Sequence, residues 1–288
     1  MRGARFILCA ALCLLPLVCG AQAKLYTKKA KIASFGKCPT LVVSSGGSAL
    51  DDALRSAVEK RWTAGKFEFV STPDYCAKVS DPALYFLRFT TEKGIVFLNL
   101  EKGGKADDDG SKEVRVDVVS VPVTSEELPS GREFIYMEAY VDIIQQFARD
   151  AAESDRIAYG GLSAYNGTKI GECEILLDAA EADRAFAEAS AETPSGAGVP
   201  AGGPLPGGGP APAGGPVPEA SAETLCGVIV APGTAVEGAR CYKILIGSRS
   251  HRVYYFRSSR IDVYHPKDWL EGDLKALEKA RAKKAPAK

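Results

Sequence analysis

Between Ser130 and Asp150 the chain reads SGREFIYMEAYVDIIQQFARD, and its apolar residues recur with the period of an α-helix. Phe134, Met137, Val141, Ile144, Phe147 and Ala148 share one side, and Ile135, Tyr140 and Ile143 widen it beyond a narrow stripe. Glu138, Asp142, Gln145 and Arg149 are left for the opposite side. Ser130 stands three residues before Glu133, the spacing of a capping box, which predicts the helix start there. Large apolar side chains are worth about 1.5–3 kcal/mol each on burial, too much for so wide an arc to stay in water. The helix is expected to lie across a sheet or beneath other helices, as the central element of a mixed α/β domain.

Upstream, Thr40–Ser45 reads as a strand, and Leu50, Leu54, Val58 and Trp62 recur at about one helical turn behind a Ser48/Asp51 capping box, with Gly65 placed to end that helix. Lys66–Ser71 alternates as a half-buried strand, so the unit is β-α-β with parallel strands. A short helix over Pro73–Val79 is followed by an antiparallel hairpin of Leu84–Phe89 and Ile95–Leu100, turned by Gly94. Asp107-Asp108-Asp109 belongs to a solvated loop and lacks calcium-loop spacing. Glu113–Val123 alternates as a strand whose Pro122 favours an end or a sheet edge.

After the central helix, Gly160-Gly161 breaks the chain, and Lys169–Ser190 reads as a strand and a weak helix. From 193 to 222 the composition collapses to Pro, Gly, Ala, Val and Ser, which cannot bury enough apolar surface to offset its ordering cost, so a disordered linker is expected. Four strand-like runs follow, Cys226–Val230, Cys241–Gly247, Arg252–Phe256 and Arg260–Tyr264, then a helix from near Pro266 carrying Trp269, Leu270, Leu274 and Leu277 on one side. The expected organisation is a leader at 1–23, an α/β part at 24–192, the linker at 193–222, a β-rich part at 223–278 and a basic tail at 279–288. About 65 residues beyond the linker make a marginal core alone, so the two parts are expected to form one composite α/β (α+β) fold with a mixed sheet and packed helices.

Charge and cysteine change the picture in two ways. The first residues carry Arg2 and Arg5, an apolar run from Phe6 to Val18, and Ala21-Gln22-Ala23, which is the pattern of a Sec signal peptide cleaved before Lys24. Export to the periplasm or cell surface follows as an expectation, with no membrane span in the mature chain. The 36 basic residues balance the 36 acidic ones, which argues against nucleic acid as a partner. Cys38, Cys76, Cys173, Cys226 and Cys241 remain after cleavage, without paired zinc spacing, and Cys226 and Cys241 are disulfide candidates if they sit opposite each other in a hairpin.

The runs YFLRF, VFLNLEKGGK, VVSVPVTSEELPSGREFIYMEAYVDIIQQF, YGGLSAYN and CGVIVAPGTAVEGARCYKILIGSRSHRVYYFRSSRI resemble a family of signal-peptide-bearing envelope proteins of Bacteroidetes with no assigned activity. The resemblance covers most of 44–277 apart from the Pro/Gly segment. It implies an envelope location and carries no catalytic residue, metal or cofactor to this chain.

Three constellations carry candidate chemistry. Cys241, His251 and Asp262 are the side chains of a thiol nucleophile, its base and an orienting acid, and only His251 and His265 supply imidazoles. Gly46-Gly47 lies between a strand and a helix N-terminus, where a phosphate or nucleotide is held in other proteins, but the P-loop Lys-Ser/Thr is missing and Asp51 and Asp52 repel anions. Tyr254, Tyr255, Phe256 and Arg257 place aromatics beside arginine on a strand, a combination that suits an envelope protein or glycan partner if it faces outward. Asn166-Gly167-Thr168 has the spacing of a glycosylation acceptor. The reading expected from these residues is an exported, non-catalytic binding or assembly scaffold. A thiol hydrolase at Cys241/His251 and a phosphate binder at Gly46-Gly47 are the alternatives.

Overall fold

The computed structural model describes residues 28–106, 112, 114–192, 223–234, 238–262 and 265–282. The expected leader at 1–23, the Asp107–Asp109 loop and the 193–222 linker lie outside the described residues.

The described residues fold into two mixed sheets with eight helices. Helix α1 (Lys29–Ile32) leads into β1 (Thr40–Ser44), α2 (Ala49–Arg61), β2 (Phe67–Ser71), α3 (Thr72–Lys78), β3 (Tyr85–Glu92), β4 (Ile95–Lys102) and β5 (Val116–Ser125). The first sheet has the order β2-β1-β3-β4-β5, with β1 parallel to both neighbours and the β3-β4-β5 meander antiparallel. The expected β-α-β unit is therefore present, and Ser48 caps α2 by accepting from the Asp51 amide at 3.0 Å. The helix stops at Arg61, four residues short of Gly65, because Trp62 turns extended and drives its ring into the core. The β3–β4 hairpin closes on Lys93-Gly94, both at positive φ, so β3 continues through Glu92 where the sequence had suggested a longer loop. Pro122 sits in β5, an edge strand, as its missing amide requires.

Next come α4 (Arg132–Ile135), α5 (Met137–Glu153), α6 (Asp155–Gly160), a 3₁₀ turn over Gly161–Gly167, β6 (Glu174–Leu176) and α7 (Ala179–Glu192). Beyond the linker are β7 (Thr224–Val230), β8 (Arg240–Gly247), β9 (Val253–Arg260) and α8 (Glu271–Ala282). The second sheet has the order β6-β7-β8-β9, with β6 parallel to β7 and the rest antiparallel. Among the described residues three strands stand where four were expected: Ser258-Ser259 pair across to Tyr242 and Cys241 and do not turn, so β9 runs unbroken to Arg260. The expected basic tail at 279–288 begins inside α8, which extends through Ala282, and 283–288 lie outside the described residues.

The central helix starts later than its capping box suggests. Ser130 Oγ does meet the Glu133 carboxylate at 3.1 Å, but this contact serves the four-residue α4. Tyr136 then leaves helical geometry (φ −94°, ψ 2°) before α5 begins. The break throws the first turn out of phase, so Phe134 and Ile135 are exposed while Met137, Tyr140, Val141, Ile144 and Phe147 are buried as expected. Leu274 of α8 is exposed too, and Leu277 carries that helix's contact.

One hydrophobic core joins both parts of the chain. Val42, Tyr85, Leu87, Leu98 and Leu100 of the first sheet, α5, and Val228, Val230, Ile244 and Ile246 of the second sheet belong to a single cluster. The far face of the first sheet, Leu41, Val43, Val70 and Phe86, is covered by α3, and Leu225, Leu245 and Tyr255 on the far face of the second sheet are covered by α8. The result is a stack of helix, sheet, helices, sheet and helix. Among the described residues, no helix is long and apolar enough to cross a membrane.

Tyr140 tests this core. Its ring is fully buried and its hydroxyl has no hydrogen-bond partner among the described residues. A buried, unpaired hydroxyl costs on the order of 1–3 kcal/mol, whereas losing the ring costs about 3–5 kcal/mol. Tyr140→Phe is expected to raise the urea midpoint and Tyr140→Ala to lower it; a destabilised Phe variant would mean the hydroxyl has a partner.

Candidate functional site

The site is built from the polar row of α5. Glu138 meets Lys60 of α2 at 3.0 Å, and one turn on, Asp142 Oδ2 accepts from Arg61 Nε and Nη2 at 2.9 and 2.6 Å. Gln145 locks the junction: its Nε2 donates to Asp142 Oδ1 (2.7 Å) and to the Arg61 carbonyl (2.8 Å), while its Oε1 accepts from the Thr63 amide (2.9 Å). The face expected to meet solvent is thus turned toward the end of α2, and Gln145 is buried.

His251 arrives at the same carboxylate from the other side. It closes the β8–β9 loop at φ 51°, a left-handed position that His tolerates better than most residues, with its amide bonded to the Gly247 carbonyl at 3.0 Å. Its ring lies nearly parallel to Phe186 of α7, 5.4 Å between centres and 18° between planes. Nδ1 is 2.7 Å from Asp142 Oδ2. An ionised carboxylate only accepts, so Nδ1 carries the proton and Nε2 is the uncommitted nitrogen. Burial pushes the Asp142 carboxyl upward, but the hydrogen bonds from His251 and Arg61, with the charges of both, outweigh it and hold the group below its ordinary 3.8.

Beside His251 opens a cavity of about 250 Å³. Ile143, Gln146 and Asp150 of α5 form one wall, Tyr165 and Thr168 at the end of the 3₁₀ turn form the second, and His251 with Arg252, Val253 and Tyr254 forms the third. The second wall is fixed by Asn166, which binds the outer edge of β9 like an extra strand residue: Phe256 N donates to its Oδ1 (2.7 Å) and its Nδ2 donates to the Phe256 carbonyl (2.9 Å). The third is shaped by a bulge between Leu245 and Ile246, which leaves Tyr254 without an opposing residue and turns it toward the cavity. At the cavity floor, Asp150 accepts from Gln146 Nε2 and Tyr165 Oη, each at 2.7 Å. Burial first, then the bond to Asp150, pushes the Tyr165 hydroxyl far above its ordinary range. The Arg252 guanidinium is exposed and donates no hydrogen bond among the described residues.

The remaining sequence candidates go elsewhere. Cys241 starts β8 and His251 lies beyond its end, so some six residues at about 3.3 Å each separate thiol from imidazole, and the expected nucleophile and base do not meet. Asp262 pairs instead with His265, Oδ1 to Nδ1 at 2.9 Å. The disulfide expectation is likewise corrected: Cys226 lies opposite Ile246, five residues along β8 from Cys241, and all five described cysteines are free thiols. Burial pushes the thiols of Cys241 and Cys226 up to about 11 and 12, the wrong direction for a nucleophile.

The aromatic hairpin turns Tyr255 inward, leaves Tyr254 and Phe256 half-buried and exposes Arg257. Tyr255 is buried and donates to Asp273 Oδ1 at 2.7 Å, within a group where the fully buried Lys243 meets Asp273 Oδ2 at 2.5 Å and Arg257 meets Oδ1 at 3.0 Å. Phe256 packs against the main core. Of the four residues expected as a binding face, Tyr254 is the one that lines this cavity. At Gly46-Gly47 both glycines have positive φ and Ser45 Oγ donates to the buried Asp51 at 2.7 Å, a capped helix start with its own carboxylate at the mouth. Among the described residues, no group of three or more His, Cys, Asp or Glu side chains is arranged to hold a metal ion.

Asp142, Gln146, Asp150 and Tyr165 were not singled out from the sequence. The available signal was a polar row at intervals of four, Asp142, Gln146 and Asp150, on a helix too apolar to have a solvated face. Comparison with protein-family models, curated proteins and solved structures finds no match to the chain.

Two outcomes follow. Because the folded Asp142 carboxyl lies below 3.8, the stability it contributes is present above that pH and is lost as pH falls through its folded value. Asp142→Asn is therefore expected to lower stability by about 1.5–3 kcal/mol at neutral pH, with the gap from wild type closing below pH 3.8 in urea titrations; a gap independent of pH would remove the charge from the account. With a maleimide probe, exposed Cys76 is expected to react in the native protein, and Cys226 and Cys241 only on unfolding; native labelling of either buried thiol would contradict the packing.

Proposed function

We propose that this chain is an exported envelope protein that acts by binding, with the cavity beside His251 as its ligand site. The observation that carries this reading is the cavity's construction. Three segments separated in sequence converge on it, and each is held by a specific polar contact: Asp142 to His251, Asn166 to Phe256, and Asp150 to Tyr165. Such a concave site with an apolar wall and a few placed polar groups is the usual form of a small-ligand pocket. At about 250 Å³ it lies just below the range of about 300–1,000 Å³ for drug-sized ligands, which favours a compact molecule.

The protein-facing scaffold is the weaker form of the reading, since Tyr255 is buried against Asp273 and Phe256 packs on the main core. Export rests on the basic start, apolar run and Ala-Gln-Ala of residues 1–23, and the absence of a strong net charge favours neither nucleic acid nor an anionic membrane as partner.

Thermal unfolding of the full chain against a panel of small acids, amines, sugars and phosphates at millimolar concentration tests the proposal, because a ligand that binds only the folded state raises its melting point. At least one class is expected to give a saturable rise that Thr168→Trp, which blocks the cavity rim, abolishes. A response unchanged in that variant, or none in the wild type, would sink the assignment. Chemical conversion of the ligand that disappears in His251→Ala would replace binding with acid–base catalysis at the same cavity.

A further inference from the structure

Resting on that reading, we propose that the cavity takes a small carboxylate with an apolar or aromatic body, its anion paired with Arg252. Most charged groups around the cavity are already satisfied by partners. Asp142 is spent on Arg61 and on His251 Nδ1. Asp150 has one donor on each oxygen, Gln146 and Tyr165. The Arg156 guanidinium is held by the Ala164 carbonyl at 3.1 Å. Arg252 remains: its guanidinium donates no hydrogen bond among the described residues, and it lies near enough to Tyr165 and Tyr254 for its charge to favour their ionised forms. The uncommitted charge at the rim is positive.

The surroundings narrow the anion. A single guanidinium offers two parallel N–H groups matched to a carboxylate. A phosphate dianion calls for a second guanidinium or ammonium, whereas the wall carries the Asp150 carboxylate, which disfavours extra negative charge. Ile143, Val253 and the rings of Tyr165 and Tyr254 supply an apolar slot for the ligand's body. Thr168 and His251 on the cavity wall offer further polar groups, and the volume limits the whole to a molecule of amino-acid size. A free acid and the C-terminal carboxylate of a peptide present the same group to Arg252.

Calorimetric titration of the full chain with 3-phenylpropionate, its primary amide, phenethylamine and the dipeptide Gly-Phe tests the assignment. The acid is expected to bind at least about tenfold more tightly than amide or amine, to weaken with added salt, and to fall to the amide's level in Arg252→Ala, with Arg252→Lys intermediate. Arg252 is exposed, and an unchanged melting point for Arg252→Ala in buffer alone verifies that folding is intact. Binding of Gly-Phe with the same Arg252 dependence would identify a peptide C-terminus as the source, and binding of phenylpropionate alone a free acid. Equal affinity for acid and amide, preference for the amine, or indifference to Arg252→Ala overturns the carboxylate assignment while leaving a binding cavity. Silence of these probes together with the broader small-molecule panel overturns both.

Discussion

Helix α5 buries ten of its seventeen residues, more than one sheet face can cover, because a helix laid on a sheet hides only about one side. The surplus has to be taken up by something else, and here it is the second sheet. Val228, Val230, Ile244 and Ile246 from beyond the linker pack into the same cluster as Leu87, Leu98 and Leu100 from before it. The two parts of the chain therefore share one core through this helix. That shared burial brings the β8–β9 loop within reach of α5, and the cavity follows from it.

Two carboxylates then fix what apolar burial leaves loose. Asp142 and Asp273 are both held ionised against the cost of burial by several donors, yet they act at different places. Asp142 joins α2, α5 and the β8–β9 loop, with Arg61 and His251 bonded to one oxygen and Gln145 to the other. Asp273 joins α8 to the second sheet through Lys243, Tyr255 and Arg257, and its oxygen also accepts from the Leu270 amide. A buried pair as dry as Lys243 and Asp273 contributes little net stability beyond an apolar replacement, but removing one partner strands the other at a cost of about 3–5 kcal/mol. Its effect is to permit one seating of α8 and to penalise the rest.

Much of this was legible in the sequence and some was not, for reasons tied to particular residues. The β-α-β unit, the Gly94 hairpin and the buried arc of α5 follow from period, capping and turn chemistry, which are local. What failed depended on partners distant in the chain. Phe134 and Ile135 carry the right spacing but precede the break at Tyr136, which no local rule announces. Ser258-Ser259 has turn composition, yet β8 offers it a partner and the strand continues. The site was harder still. The scarcity of imidazoles points to His251, but Cys241 is the wrong partner for it: its real neighbour is Asp142, more than a hundred residues earlier. Pairing across that separation is set by the shared core, and spacing along the chain carries no trace of it.

The cavity exists where regular structure is interrupted three times. A β-bulge turns Tyr254 out of alternation, Asn166 substitutes for a missing strand on the edge of β9, and His251 occupies a left-handed position that a non-glycine residue enters at a cost of order 1–3 kcal/mol. Each interruption alone is tolerable and common. Their convergence is harder to explain by folding alone, because a straight β9, a solvated 3₁₀ turn and a glycine at 251 would close the same fold without them. The strain at His251 is offset by its bond to Asp142 and its stack on Phe186, so the imidazole is held in place from both sides while Nε2 stays uncommitted. Packing alone does not call for that arrangement, which is the ground for proposing a ligand site here, rather than at the capped helix start of Gly46-Gly47 or the buried thiol of Cys241.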